Sequence, residues 1–129
     1  MLQDHDRTVY SITWGTGKPG AMQDDCESLG WLASTGSDGR INVWAFEVSR
    51  YVASCSRLGV AGFDQFESQE PPGSTNRSPP KYKLIARFDG AHEVNDVNSI
   101  AWCPRKGYED LIATVGDDAV AKIWKVVSV

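Results

Sequence analysis

Apolar and polar positions alternate with period two at two places far apart in the chain. Val9-Tyr10-Ser11-Ile12-Thr13-Trp14 and Val97-Asn98-Ser99-Ile100-Ala101-Trp102 each read as a half-buried strand ending in tryptophan. Each is followed by a small, apolar run, residues 31–36 and 111–116, suited to a strand packed on both faces. Ser37-Asp38-Gly39 and Asp117-Asp118-Ala119 then predict tight turns, the Asp–Gly pair being the stronger hairpin signal. Third strands follow over 40–46 and 120–127, again alternating and carrying a tryptophan. Residues 82–88 mix apolar and charged side chains as an outer edge strand does, which completes four strands for the first unit. The second unit has three, and the sequence stops at Val129.

These strands form a module that occurs twice. Leu32-Ala33-Ser34-Thr35-Gly36-Ser37-Asp38-Gly39-Arg40-Ile41-Asn42-Val43-Trp44 matches Ile112-Ala113-Thr114-Val115-Gly116-Asp117-Asp118-Ala119-Val120-Ala121-Lys122-Ile123-Trp124 position by position. Each copy is preceded by a histidine, His5 or His92. The copies of the second half lie 80 residues apart and those of the first strand 88. Insertions at 15–30 and 47–80 account for so long a period. Residues 51–66 are read either as a short helix or as irregular loop. Residues 68–80 hold four prolines among small polar residues and read as low-complexity, disordered chain.

Composition narrows the class. The chain has 129 residues, 41% hydrophobic and 23% charged, as in one modest globular domain. A net charge of −4 gives no electrostatic reason to expect nucleic acid or an anionic membrane as partner. No apolar run is long enough for a transmembrane helix, and the start of the chain lacks the pattern of a signal peptide. Three cysteines (Cys26, Cys55 and Cys103) form no C-x-x-C pair, which argues against a disulfide framework and for a reducing compartment. Asn76-Arg77-Ser78 matches a glycosylation acceptor, a chance match in a chain without a secretion signal.

Both units resemble blades of the WD40 propeller family, whose repeat period is about 40–45 residues. The resemblance implies an all-β propeller fragment of two antiparallel blades, the second lacking its outer strand. It also implies a hydrogen-bonded tetrad in each blade: His5, Ser34, Asp38 and Trp44 in one, His92, Thr114, Asp118 and Trp124 in the other. A Ser–His–Asp set invites a catalytic reading, with Ser34, His5 and Asp38 as a hydrolase triad. Recurrence at matching positions argues instead for a scaffold, because an active site is needed once, whereas buried polar groups must be satisfied in every blade. No catalytic residue is therefore assigned. Two histidines 87 residues apart, each used in its own blade, cannot supply a zinc site, so neither metal nor cofactor is expected.

Strand direction puts segments 4–8 and 93–96 on one rim with the Asp turns, and both insertions on the other. The first rim is the face that WD40 proteins often use to bind peptides. Asp6, Arg7, Tyr10, Glu93, Asn95, Asp96 and Asn98 are its candidate protein-binding residues.

Within the family, His5-Asp6-Arg7-Thr8-Val9-Tyr10-Ser11-Ile12-Thr13-Trp14 is similar to the penultimate blade of the WD40 subunit of cytosolic iron–sulfur protein assembly. Ala91-His92 with 96–104 resembles its final blade. That resemblance implies a non-catalytic adaptor, cytoplasmic and open to the nucleus as well. Its partners would be the other subunits of the targeting complex and the recipient apoproteins, with no nucleic acid and no membrane. The implied division is 1–46 with 81–90 as the penultimate blade, 47–80 as an insertion and 91–129 as the last blade. Roughly five blades of such a propeller are missing. The chain is thus expected to be a C-terminal portion of a longer protein, or a truncated product, poorly stable alone because inter-blade faces are left bare. The rival scaffold reading is a WD40 subunit of a coat or nuclear-pore assembly.

Overall fold

The computed structural model describes residues 1–17, 26–49 and 79–127. Seven strands and no helix are found among them. Strands β1 (Val9–Gly15), β2 (Cys26–Gly36), β3 (Ile41–Ser49) and β4 (Lys81–Phe88) form one antiparallel sheet in chain order. Strands β5 (Val97–Trp102), β6 (Leu111–Gly116) and β7 (Ala121–Lys125) form a second. This is the expected pair of blades, one of four strands and one of three. Residues 51–66 and the proline-rich stretch up to residue 78 lie outside the described residues.

Two expected boundaries move. Strand β2 begins at Cys26, within the segment read as an insertion, and β3 runs on to Ser49. The two continue to pair as far as Cys26 with Ser49, across a register shift between Ser28 and Gly30. The sequence reading took this strand from its small, apolar run, which begins only at Trp31.

The sheets pack face to face through the repeat itself. Trp31, Ala33, Ile41 and Val43 of the first blade meet Ala91, Val97, Ile100 and Ile112 of the second in one buried cluster. Aromatic contacts bracket it, Trp31 on Trp102 at 5.9 Å between ring centroids and Phe88 on Trp124 at 4.7 Å. Hydrogen bonds cross the interface from Thr35 Oγ1 to the Val97 carbonyl, from Trp102 Nε1 to the Thr13 carbonyl, from the Ala91 N–H to the Gly39 carbonyl and from Tyr10 Oη to Asp96. Cross-strand pairs show which residues share this face. Ala33 pairs with Val43 and Thr35 with Ile41, all directed at the second blade. Leu32, Ser34 and Trp44 alternate onto the opposite face.

The two turns adopt one geometry in both copies. The Gly39 N–H donates to the Gly36 carbonyl and the Ala119 N–H to the Gly116 carbonyl, each at 3.2 Å. Asp38 and Asp118 accept from the N–H two residues on, at Arg40 and Val120. The third turn residue is left-handed in both, with φ of 72° at Gly39 and 61° at Ala119. Alanine is strained there and glycine is not. Ala119→Gly therefore raises stability by about 0.5–1 kcal/mol, the relieved strain exceeding the extra chain entropy of glycine. A higher urea midpoint at fixed protein concentration is the check.

Candidate functional site

The buried polar chain is built from four elements of each blade. In the second blade, His92 comes from the loop before β5, Thr114 from β6, Asp118 from the β6–β7 turn and Trp124 from β7. The Trp124 indole N–H donates to Thr114 Oγ1 at 2.9 Å, and Thr114 Oγ1 lies 2.9 Å from His92 Nε2. His92 Nδ1 is 2.8 Å from both Asp118 oxygens. With the imidazole hydrogen on Nδ1, every link has one donor and one acceptor. His92 and Thr114 are fully buried, so this satisfaction matters.

The first blade repeats three of the four links. His5 Nε2 lies 2.6 Å from Ser34 Oγ, and Nδ1 lies 2.9 Å and 3.0 Å from the Asp38 carboxylate. The fourth differs from expectation: no hydrogen bond joins Trp44 to Ser34. The Trp44 ring instead stands edge-on to His5, centroids 6.5 Å apart. Thr114 Oγ1 thus joins indole and imidazole, whereas Ser34 Oγ meets His5 alone.

Both carboxylates are tuned alike. Burial pushes Asp38 up, but the hydrogen bond from His5 and the N–H groups of Arg40 and Asp6 outweigh it and hold the carboxyl below its ordinary value. Asp118 shows the same balance, with burial opposed by His92, the Val120 N–H and Lys122.

The sequence reading missed a cation in each blade. Arg40 Nη1 donates to the carbonyl of Asp4, the residue before His5, and lies 3.9 Å from Asp38. Lys122 Nζ donates to the carbonyl of Ala91, the residue before His92, and lies 3.9 Å from Asp118. The two cations occupy positions that do not match in the repeat, since Arg40 corresponds to Val120 and Asn42 to Lys122. With Arg40 filling the role, Asn42 is fully buried and its side-chain amide finds no partner among the described residues.

The candidate rim residues do lie on the rim of the Asp turns, where the Ser37 N–H meets the Thr8 carbonyl and the Asp117 N–H the Asp96 carbonyl. Several are engaged within the fold. Tyr10 Oη donates to Asp96 at 3.1 Å, tying the two blades together, and Asn98 donates to Asp117 at 2.6 Å. Asn95 donates to the His92 carbonyl, and Asp6 pairs with Arg40 at 2.7 Å. Arg7 and Glu93 are exposed, Glu93 in the left-handed region at φ 58°. Beside Glu93 stands a residue the sequence reading passed over, Val94, whose surface is 97% exposed. An apolar residue in an otherwise polar loop was the available signal.

The strand order and the polar chain define the class of fold: two antiparallel sheets of four and three strands, a WD40 propeller fragment. The family model "WD domain, G-beta repeat" matches residues 82–125, from the outer strand of the first blade through the third strand of the second. More particularly, the chain is similar to proteins named "Probable cytosolic iron-sulfur protein assembly protein 1". The relative from Cryptococcus neoformans var. neoformans is 33% identical over 95% of this chain and 26% of its own length. The Chaetomium globosum relative is 32% identical over 95% of the chain and 24% of its own length. The Aspergillus clavatus relative is 30% identical over 98% and 26%. The chain thus spans about a quarter of the length of the curated relatives it matches.

Proposed function

We propose that the chain forms two adjacent blades of a non-catalytic WD40 scaffold in cytosolic iron–sulfur protein assembly. In this role it docks recipient apoproteins beside the other subunits of a targeting complex, in the cytoplasm and in the nucleus. The observation that carries the reading is the identity of about a third, maintained along nearly the whole chain, with relatives that bear that name. The division into a penultimate blade (1–46 with 81–90), an insertion (47–80) and a last blade (91–129) belongs to the same reading.

Two further observations support a scaffold. The imidazole–hydroxyl–carboxylate set occurs in both blades, as a structural element would. Ser34, the only serine in such a set, is buried within its sheet, where a substrate carbonyl has no approach. The tetrad residues hold shape in this reading, and recognition falls to the rim.

The docking surface is the rim of the Asp turns. Arg7, Glu93 and Val94 present it most openly, with Asp6, Tyr10, Asn95, Asp96 and Asn98 as its frame. Affinity capture on the tagged chain in cell extract is the test. Recovery of assembly-complex subunits and apo iron–sulfur proteins is expected, reduced at least tenfold by combining Arg7→Glu, Glu93→Lys and Val94→Asp. Recovery of coat or nuclear-pore subunits in their place would sink the proposal.

A further inference from the structure

The second copy of the repeat carries one residue more than the first between its histidine and its leading strand. His5 stands four positions before Val9, and His92 five before Val97. Val9 and Val97 are equivalent in the structure, since they pair with Gly36 and Gly116 of the matching second strands. Both histidines nonetheless reach their hydroxyl and their carboxylate. The polar chain closes with either spacing, so the blade does not need the extra residue, which falls within 93–96.

The longer loop is a pinned turn. The Glu93 N–H donates to the Gly90 carbonyl and the Asn95 N–H to the His92 carbonyl, both at 3.0 Å, and Asn95 Nδ2 donates to the same His92 oxygen at 3.2 Å. It rests on the Asp turn of the first blade, where a Cβ at Gly39 would stand 3.3 Å from the Asn95 carbonyl oxygen. Glu93 takes a left-handed φ of 58°, a conformation that favours glycine. At the tip, Val94 is 97% exposed, so the strained turn gains no apolar burial within the fold. Strain that the fold itself does not use marks functional positions, and a turn already fixed has little freedom to lose on binding.

Charge indicates what the tip fits. Glu93 is exposed beside Val94, and Asp96 and Asp117 accept only from the neutral donors Tyr10 and Asn98, which leaves their charges uncompensated. The cations of this rim are committed elsewhere, Arg40 to Asp6 and Asp89 and Lys122 to the Ala91 carbonyl. We propose that Val94 is a knob that enters an apolar pocket on a folded partner protein, with lysine or arginine side chains at the border of that pocket facing Glu93, Asp96 and Asp117. A convex tip suits a concave partner and offers a linear peptide no groove. The inference rests on the rim as the docking surface of the scaffold and names the shape and charge of what docks there.

Photo-crosslinking tests it. The tagged chain with a photoreactive amino acid at position 94 is irradiated in cell extract, and the crosslinked residues are mapped by mass spectrometry. The expected site lies inside a folded domain, among apolar residues with lysine or arginine beside them. Deleting Val94, which restores the spacing of the first copy, leaves the urea midpoint unchanged or raised and weakens capture of the crosslinked partner about tenfold. Val94→Ala keeps the turn and gives a similar loss, and Glu93→Lys weakens capture most at low salt. Crosslinks confined to a linear terminal segment overturn the proposal, as does the absence of any crosslink or a capture that both Val94 variants leave unchanged. Assembly-complex subunits recovered equally with and without Val94 would remove this inference and keep the scaffold reading. A crosslink mapped to such a pocket on a protein outside that assembly would keep the inference and remove the scaffold reading.

Discussion

Replacing His92 by alanine lowers the unfolding free energy by about 3–5 kcal/mol. The imidazole is wholly buried and is the middle of a chain that runs from the Trp124 indole to the Asp118 carboxylate. Its removal leaves the Thr114 hydroxyl without its acceptor inside the protein, and each buried hydrogen-bonding group so orphaned costs about 1–3 kcal/mol. It also opens a hole beside Gly116, a site that now has imidazole atoms where a methyl would go. Water is a poor remedy at a site closed on one side by the first blade. Urea unfolding at fixed protein concentration reads the effect as a lower midpoint with an unchanged slope. A loss below about 1 kcal/mol would mean that packing alone holds the blade and that the polar chain is incidental.

The two blades are not equal in this respect, and the difference shows what sequence can and cannot express. The resemblance to WD40 blades implies both polar sets, and in the structure the histidine, the hydroxyl and the aspartate of each come within hydrogen-bonding distance. What each hydroxyl does is not expressed in the repeat: Thr114 bridges two partners and Ser34 serves one. The cations were illegible for a different reason. Aligning the copies suggests that Asn42 and Lys122 should do the same thing, yet Arg40 does what Lys122 does, from two residues earlier, just ahead of β3. Equivalence of function here is set by reach in space, since the long arginine and lysine side chains converge on the same carbonyl from different starting points.

The blade boundaries follow a similar logic. Regular alternation made β1, β5 and β7 readable to within a residue or two at each end, and the small, apolar run did the same for β6. Strand β2 was read short because its small, apolar run begins at Trp31, although the ladder continues past the register shift at Ser28 and Gly30 to Cys26. The register shifts at Val9/Ser11 and Val97/Ser99 leave no mark in the sequence, where alternation runs straight through them. They occur at matching places in the two copies, so the repeat conserves its bulge as faithfully as its tryptophans.

Gly36→Ala lowers the unfolding free energy by about 3 kcal/mol. A Cβ at this position would stand 2.3 Å from the Thr8 carbonyl oxygen and 3.1 Å from its carbon. Both are backbone atoms, and the same carbonyl accepts the Ser37 N–H at 2.9 Å, so it cannot swing aside without breaking that bond. Relief requires β1 to move off β2 at the end where His5 enters, which loosens His5 from Ser34 and Asp38 together. Gly116 is the repeat's matching residue and meets the Asp96 carbonyl oxygen at 2.6 Å and His92 Cγ at 2.8 Å. There part of the clash falls on a side chain, but that side chain is the locked imidazole, so Gly116→Ala costs nearly as much. The measurement is again the urea midpoint, with Ala119→Gly moving it in the opposite direction. If both alanine variants unfold within about 1 kcal/mol of the unsubstituted chain, the first strand of each blade is free to shift against the second, and the close approach at Thr8 and Asp96 is not a constraint of the fold.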